Sequence, residues 1–249
     1  MPRYDFRTQR LFVKAPLAEG AIVPLDAGQT NYLCNVLRLS PGDPVLVFNG
    51  RDGEWRASLA RPGKRSAALE VAERLRAQTR PGDLHYLFAP LKAARLDYMV
   101  QKAVELGVSR LQPVVTRHTQ AARVNVERMQ ANAIEAAEQC GVLDLAEACE
   151  PLPLDKALAA LDESRLLVFC DEDAPVRDPV EALSAARRNA PQGLAVLVGP
   201  EGGFAGEERA AITRRPHVLR LALGPRILRA DTAAVAALAL VQAVLGDWR

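Results

Sequence analysis

Apolar and polar positions change their rhythm about a third of the way along the chain. Up to residue 76 they alternate in short runs. Arg10–Lys14, Pro44–Phe48, Glu54–Leu59 and Ala67–Arg74 each read as a strand, with turn signals at Pro41-Gly42-Asp43, Asn49-Gly50 and Asp52-Gly53. One short helix is expected over Thr30–Leu37. Many short strands punctuated by turns predict a small β-barrel. Ala77–Asp83 is polar, carries a Pro-Gly step and reads as a linker. Beyond it, apolar runs at His85–Pro90, Leu111–Val115, Leu166–Cys170, Leu194–Val198 and Val218–Leu223 predict strands. Between them Leu96, Met99, Val100, Ala103 and Val104 recur at helical spacing before Gly107, and helices are expected over Val126–Cys140, Pro179–Arg188, Glu207–Arg215 and Thr232–Leu245. The pattern therefore predicts two domains, a β-barrel over 1–76 and an α/β domain over 77–249. The second should hold a mostly parallel sheet covered on both faces, with ligands beyond the carboxyl ends of its strands.

Composition narrows the class without naming it. A chain of 249 residues, 49% of them hydrophobic, is long enough to bury a sizeable core unaided. The four cysteines, Cys34, Cys140, Cys149 and Cys170, form no C-x-x-C pair, which argues against a metal centre and against a disulfide framework. The first residues contain no apolar stretch of the kind that directs export, and the longest apolar run, Ala233–Val241, is too short to span a bilayer. A cytoplasmic protein with no membrane partner and no metal is expected. The net charge of +2 is no nucleic-acid signature, but cations cluster in the first domain: Arg3, Arg7, Arg10 and Lys14, then Arg56, Arg61, Lys64 and Arg65. Solvation of an ordinary surface would account for these equally well.

Two strand-to-helix loops carry candidate chemistry. Gly199-Pro200-Glu201-Gly202-Gly203-Phe204 follows the strand ending at Val198. Its glycines let backbone approach a ligand closely. It lacks G-x-G-x-x-G and a following Lys-Ser/Thr, and the carboxylate of Glu201 would repel phosphate, so a cationic or hydroxyl-rich ligand suits it better. A tight turn without a ligand is the competing reading. Leu223-Gly224-Pro225-Arg226-Ile227-Leu228-Arg229-Ala230-Asp231-Thr232 follows the next strand. Arg226 and Arg229 could hold phosphate or a base, and Asp231 or Thr232 could cap the last helix. Solvated arginines beside a plain cap are the alternative. The three histidines, His85, His118 and His217, are far apart and read as structural.

At these loops the sequence resembles the RsmE family of 16S rRNA (uracil-N3) methyltransferases, in the SPOUT superfamily. The resemblance extends over nearly the whole chain. It includes Asn35-Val36-Leu37-Arg38-Leu39, Phe48-Asn49-Gly50, Gln101-Lys102, Glu105-Leu106-Gly107-Val108 and Ala136-Ala137-Glu138-Gln139-Cys140, and is most specific in the two loops. It implies an N-terminal PUA-like β-barrel for RNA, a C-terminal SPOUT domain tied in a trefoil knot, and a homodimer. It implies S-adenosyl-L-methionine as cofactor and 16S rRNA or the small ribosomal subunit as partner. Cofactor contacts fall on Val198, Gly199, Pro200, Glu201, Gly202, Gly203, Leu223, Gly224, Ile227, Leu228, Thr232 and Ala233, and RNA contacts on Arg3, Arg7, Arg10, Arg38 and Arg226. N3 of uracil carries a proton and is a poor nucleophile, so the reaction needs a proton acceptor and support for an anionic base. Asp231 is the candidate acceptor and Arg229 the candidate for steadying the anion. Two departures stand out: Val142 replaces an expected arginine, and Ala230-Asp231 replaces Thr-Glu, which shortens the acid by one methylene. The rival readings are a SPOUT enzyme with another RNA target and an RNA-binding module without catalysis.

Overall fold

A computed structural model of the chain describes residues 5, 7–63, 66–79, 82–121, 123–175, 178–187 and 192–248. The chain divides into two compact units, Met1–Arg80 with Ala137–Leu145, and Pro81–Ala136 with Ala146–Arg249.

The first unit is a curled five-stranded sheet. Its strands are β1 (Arg10–Phe12), β2 (Ile22–Pro24), β3 (Pro44–Phe48), β4 (Glu54–Gly63) and β5 (Ser66–Arg76), in the order β1-β3-β4-β5-β2. All pairings are antiparallel except β1 with β3. The period-2 pattern puts Val45 and Val47, Ala57 and Leu59, and Leu69 and Val71 on one buried face, closed by Leu33. Three register shifts between β4 and β5 add the local twist that curls the sheet. β2 was not apparent from the sequence, because only Val23 of its three residues is buried. The expected helix over Thr30–Leu37 is α1 (Ala27–Asn31), capped by Asp26 with Gln29, running into a π-helical turn over Tyr32–Val36.

Arg10, expected among the RNA contacts, is corrected by the structure. Its side chain is only 7% exposed and spends its donors inside the first unit. Nε donates to Glu54 Oε1 at 2.7 Å, Nη1 donates to the carbonyls of Ala137 and Glu138, and Nη2 donates to that of Val142. Arg76 donates to the other Glu54 oxygen at 2.7 Å and to Gly141 O at 3.0 Å. The two guanidiniums thus satisfy carbonyls that the end of a helix would otherwise leave without partners. This explains why Ala137–Leu145, placed by sequence in the second domain, packs with the first. Burial works against the charge of Glu54, yet bonds from Arg76 and Arg10 outweigh it and hold the carboxyl below its ordinary range.

The second unit holds β6 (Leu84–Phe88), α2 (Ala93–Glu105), β7 (Arg110–Val115), α3 (Val126–Cys140), β8 (Glu147–Ala148), β9 (Leu152–Pro153), α4 (Leu154–Ala160), β10 (Leu166–Cys170), α5 (Pro179–Arg187), β11 (Leu194–Val198), α6 (Gly206–Thr213), β12 (Val218–Leu221) and α7 (Ala230–Val244). The strand order is β12-β10-β11-β6-β7-β8, with β9 also on β7, and every pair is parallel. β11 is buried at all five positions, as a central parallel strand covered on both faces must be. Because β10 lies between β11 and β12, the loops that follow these three strands leave the sheet side by side.

Candidate active site

The loops after β10, β11 and β12 enclose a cavity of about 440 Å³ at the carboxyl edge of the sheet, within the size range of small-molecule sites. The loop after β11 is fixed by close packing. A Cβ on Gly199 would collide with the ring of Phe204, which meets Phe169 edge-on at 5.1 Å between centroids. Gly199 is therefore needed for Phe204 to fold back into the core. Gly203 has φ +65, where a side chain would be strained, and its carbonyl lies 3.2 Å from His118 Nδ1. A Cβ on Gly202 would touch His118 at 3.2 Å. Glu208 in α6 accepts from the N–H of Ala205 at 2.9 Å and of Arg117 at 2.8 Å. Arg95 in α2 lies 3.6 Å from Glu201, both partly exposed. Side chains from three neighbouring segments thus set this loop in place.

The loop after β12 is different. Arg226, Ile227 and Arg229 are exposed, Ile227 completely so. The side chains of Arg226 and Arg229 make no hydrogen bond or ion pair with another described residue. Sequence reasoning makes Asp231 or Thr232 the cap of α7. The helix instead starts two residues earlier than expected, at Ala230, with Arg229 in the extended capping position and its carbonyl accepting from Ala233 N–H at 2.7 Å. Asp231 is left in the first turn, where its Oδ1 accepts from the N–H of Thr232 at 2.8 Å. Its charge there favours the positive end of the helix dipole.

Beneath both loops is a charge cluster that sequence reasoning missed. The side chain of Asp171, at the end of β10, is wholly buried. It accepts from Arg209 of α6 at 2.5 Å and from Arg220 of β12 at 2.7 Å. Arg209 also reaches Asp173 at 2.6 Å and Glu172 at 3.1 Å. One carboxylate therefore joins the helix that follows the first loop to the strand that precedes the second. Oxygens of Asp171, Glu172 and Asp173 approach one another closely enough to suggest a cation, but both oxygens of Asp171 are already engaged by guanidinium groups.

The cavity brings most of the expected cofactor residues together. Val198, Gly199, Pro200, Glu201, Gly202 and Gly203 line one side, and Leu223, Gly224, Ile227, Leu228 and Ala233 the other. Thr232 is exposed and does not line it, and Arg229 and Asp231 flank Ala230, which does. Arg226, expected on RNA, also borders the cavity. Arg7 and Arg38 are exposed in the first unit, and Arg3 lies outside the described residues. Cys170 and Glu172 complete the wall, and no sequence signal marked them. Burial, with Asp171 adjacent, pushes the Cys170 thiol up to about 12, so it is a neutral lining group. The wall is thus apolar and glycine-rich, with the carboxylates of Glu172 and Glu201 at its edge, and it fits a ligand that combines an apolar ring with a positive centre. His118, read from sequence as structural, touches the backbone of the glycine loop. Only the fold reveals this, because 85 residues separate it from Gly203.

Residues 78–242 match the family model of an RNA methyltransferase domain, and residues 25–72 that of an RNA methyltransferase PUA domain. Ribosomal RNA small subunit methyltransferase E of Rickettsia conorii is 30% identical, over 94% of this chain and 94% of its own length. Its namesake in Bacillus subtilis is 26% identical, over 94% and 95%. Among solved structures, ribosomal RNA small subunit methyltransferase E from Neisseria gonorrhoeae bound to S-adenosyl methionine gives a TM-score of 0.86 at 26% identity, covering 98% of this chain and 100% of that one. A methyltransferase from Legionella pneumophila in complex with SAM gives 0.79 at 30% identity, covering 95% and 98%.

Proposed function

The chain belongs to the RNA methyltransferase family, among the proteins named ribosomal RNA small subunit methyltransferase E, and we propose that it methylates N3 of a uridine in 16S rRNA with S-adenosylmethionine. The observation that carries this reading is the cavity between the two loops, with glycine backbone on one side and apolar side chains on the other. When bound, S-adenosylmethionine supplies an electrophilic methyl group on a positively charged sulfur. Glu201 and Glu172 complement that charge, and Leu223, Ile227 and Leu228 offer apolar surface to an adenine ring. Asp231 would take the proton that N3 must lose to accept the methyl group. Arg229 lends its charge to the uracil anion that develops as the proton leaves. Arg226, Arg7 and Arg38 engage the RNA backbone.

The PUA-like barrel, the knot and the homodimer belong to the same proposal. The curled sheet over 10–76 supports the first. For the knot, the support is that the chain must cross β10 between making β11 and making β12. For the dimer, it is α7, which has no charged residue between Asp231 and Asp247 and keeps Val235, Leu240 and Val244 only half buried. Among the described residues no helix is long and apolar enough to cross a membrane. An rRNA substrate places the protein in the cytoplasm.

The decisive experiment is a gene deletion followed by mass spectrometry of 16S rRNA. We expect one 3-methyluridine to disappear and to return with the wild-type gene. An unchanged modification profile would overturn the reading.

A further inference from the structure

The turn that follows α1 combines three features that each cost stability. Leu33 and Leu37 are four residues apart, so a continuing α-helix would bury both on one face. The chain instead widens into a π-helical turn closed by Leu37 N–H on Tyr32 O at 2.9 Å. The extra residue keeps Leu33 and Cys34 in the core and rotates Val36 and Leu37 outward, where they are 61% and 36% exposed. Arg38 then adopts φ +57, a left-handed conformation that a residue with a side chain takes at some cost. Only after it does Leu39 return toward the core, its N–H on Leu33 O at 2.9 Å. π-turns and left-handed non-glycine residues concentrate at functional sites. Here they turn two apolar side chains and one cation away from the fold.

We propose that Val36 and Leu37 form an apolar wedge against an unstacked base of the rRNA substrate, with Arg38 holding the adjoining phosphate. Charge favours RNA as the occupant: between Ala27 and Gly42 Arg38 is the only charged residue, so no carboxylate from this stretch opposes a polyanion. The segment also lies within the residues that match the RNA methyltransferase PUA domain. Apolar wedges flanked by cations are a recurrent means of engaging unstacked bases. An enzyme that modifies the pairing edge of uracil needs its target freed from its neighbours, and a wedge on the RNA-holding unit supplies that contact.

This inference rests on the rRNA methyltransferase reading, and the test separates the two. Wild type, the double variant V36S/L37S, Arg38→Gln and Arg38→Gly are titrated across salt concentrations with small ribosomal subunits from the deletion strain. V36S/L37S should bind about 10-fold more weakly with an unchanged salt slope, because the lost contact is apolar. Arg38→Gln should flatten the slope of log affinity against log salt by about 0.7–0.9, the mark of one lost phosphate contact. Arg38→Gly relieves the left-handed strain, so it should melt no lower than wild type and still bind more weakly. Wild-type affinity in a folded V36S/L37S variant would overturn the wedge while leaving the methyltransferase reading intact. So would a changed sedimentation coefficient, which would assign the patch to a second copy of the chain. Failure of the wild type to bind or methylate the subunits would overturn both.

Discussion

The two loops that face each other across the cavity are built on opposite principles. The loop after β11 is held from all around: Phe204 pinned beneath Gly199, His118 on the carbonyl of Gly203, Glu208 bridging two backbone N–H groups and Arg95 on Glu201. The loop after β12 presents Arg226, Ile227 and Arg229 to solvent, and neither guanidinium has a partner among the described residues. A preformed surface suits a small cofactor, since little ordering remains to oppose binding. Free cations suit a large anionic substrate, which brings its own partners. The difference suggests that the first loop meets the cofactor preformed, while the second adds apolar surface for the cofactor and presents its arginines to RNA.

Asp171 is where this contrast should break most severely, because it secures the roots of both loops. Asp171→Ala leaves the Arg209 and Arg220 guanidiniums without their buried anion. It should cost about 3–5 kcal/mol in urea unfolding and weaken cofactor and RNA binding together. Arg229→Ala tests the second loop alone. It should slow single-turnover methylation by about 100–1,000-fold, or roughly 2.7–4 kcal/mol, while calorimetry finds cofactor affinity unchanged. If cofactor affinity fell as far as the rate, the division of labour between the loops would be wrong.

Acid should loosen the whole sheet from its other end. Burial, with the Arg165 charge nearby, lowers His85 to about 4 from its ordinary 6.5. Its depressed value means stability that is complete above about pH 6.5 and drains away as pH falls toward 4, at most about 3 kcal/mol. His85→Gln should flatten the melting temperature between pH 4 and 6.5, and both loops should respond alike. Gly199→Ala should cost about 1–3 kcal/mol through overpacking against Phe204. It should weaken cofactor binding with no change in the salt dependence of RNA binding. Gly202→Ala, whose added carbon meets only an exposed histidine, should be milder still.

The regular parts of this architecture were legible because burial imposes a period. β3, α3, β10 and β11 have the limits their apolar runs predict. The short pieces were not: β2, β8 and β9 are two or three residues long, and α4 follows directly on Pro153, so none offers a window in which a period can be read. The two loops stood out through their glycines and arginines and through the family resemblance. Their supports did not. Arg95, His118, Asp171 and Glu208 reach the site only because parallel strands bring distant segments to one edge. Arg10 failed for a related reason: a cation in a basic cluster looks the same on paper whether it faces water or a buried glutamate.

Arg10 and Arg76, which close the end of α3 inside the first unit, also set a timetable. The first unit includes Ala137–Leu145, and 65 residues of chain separate Arg80 from Leu145. At about 5–20 residues per second, the amino-terminal sheet emerges from the ribosome about 3–13 s before the segment that completes it. During that interval Arg10 and Arg76, both held by Glu54, stand ready for carbonyls that have yet to be made. The amino-terminal unit is therefore not a bead that folds and then waits; it matures together with the start of the unit that follows. A gene fusion or truncation that ends near residue 80 should deliver an unfinished module.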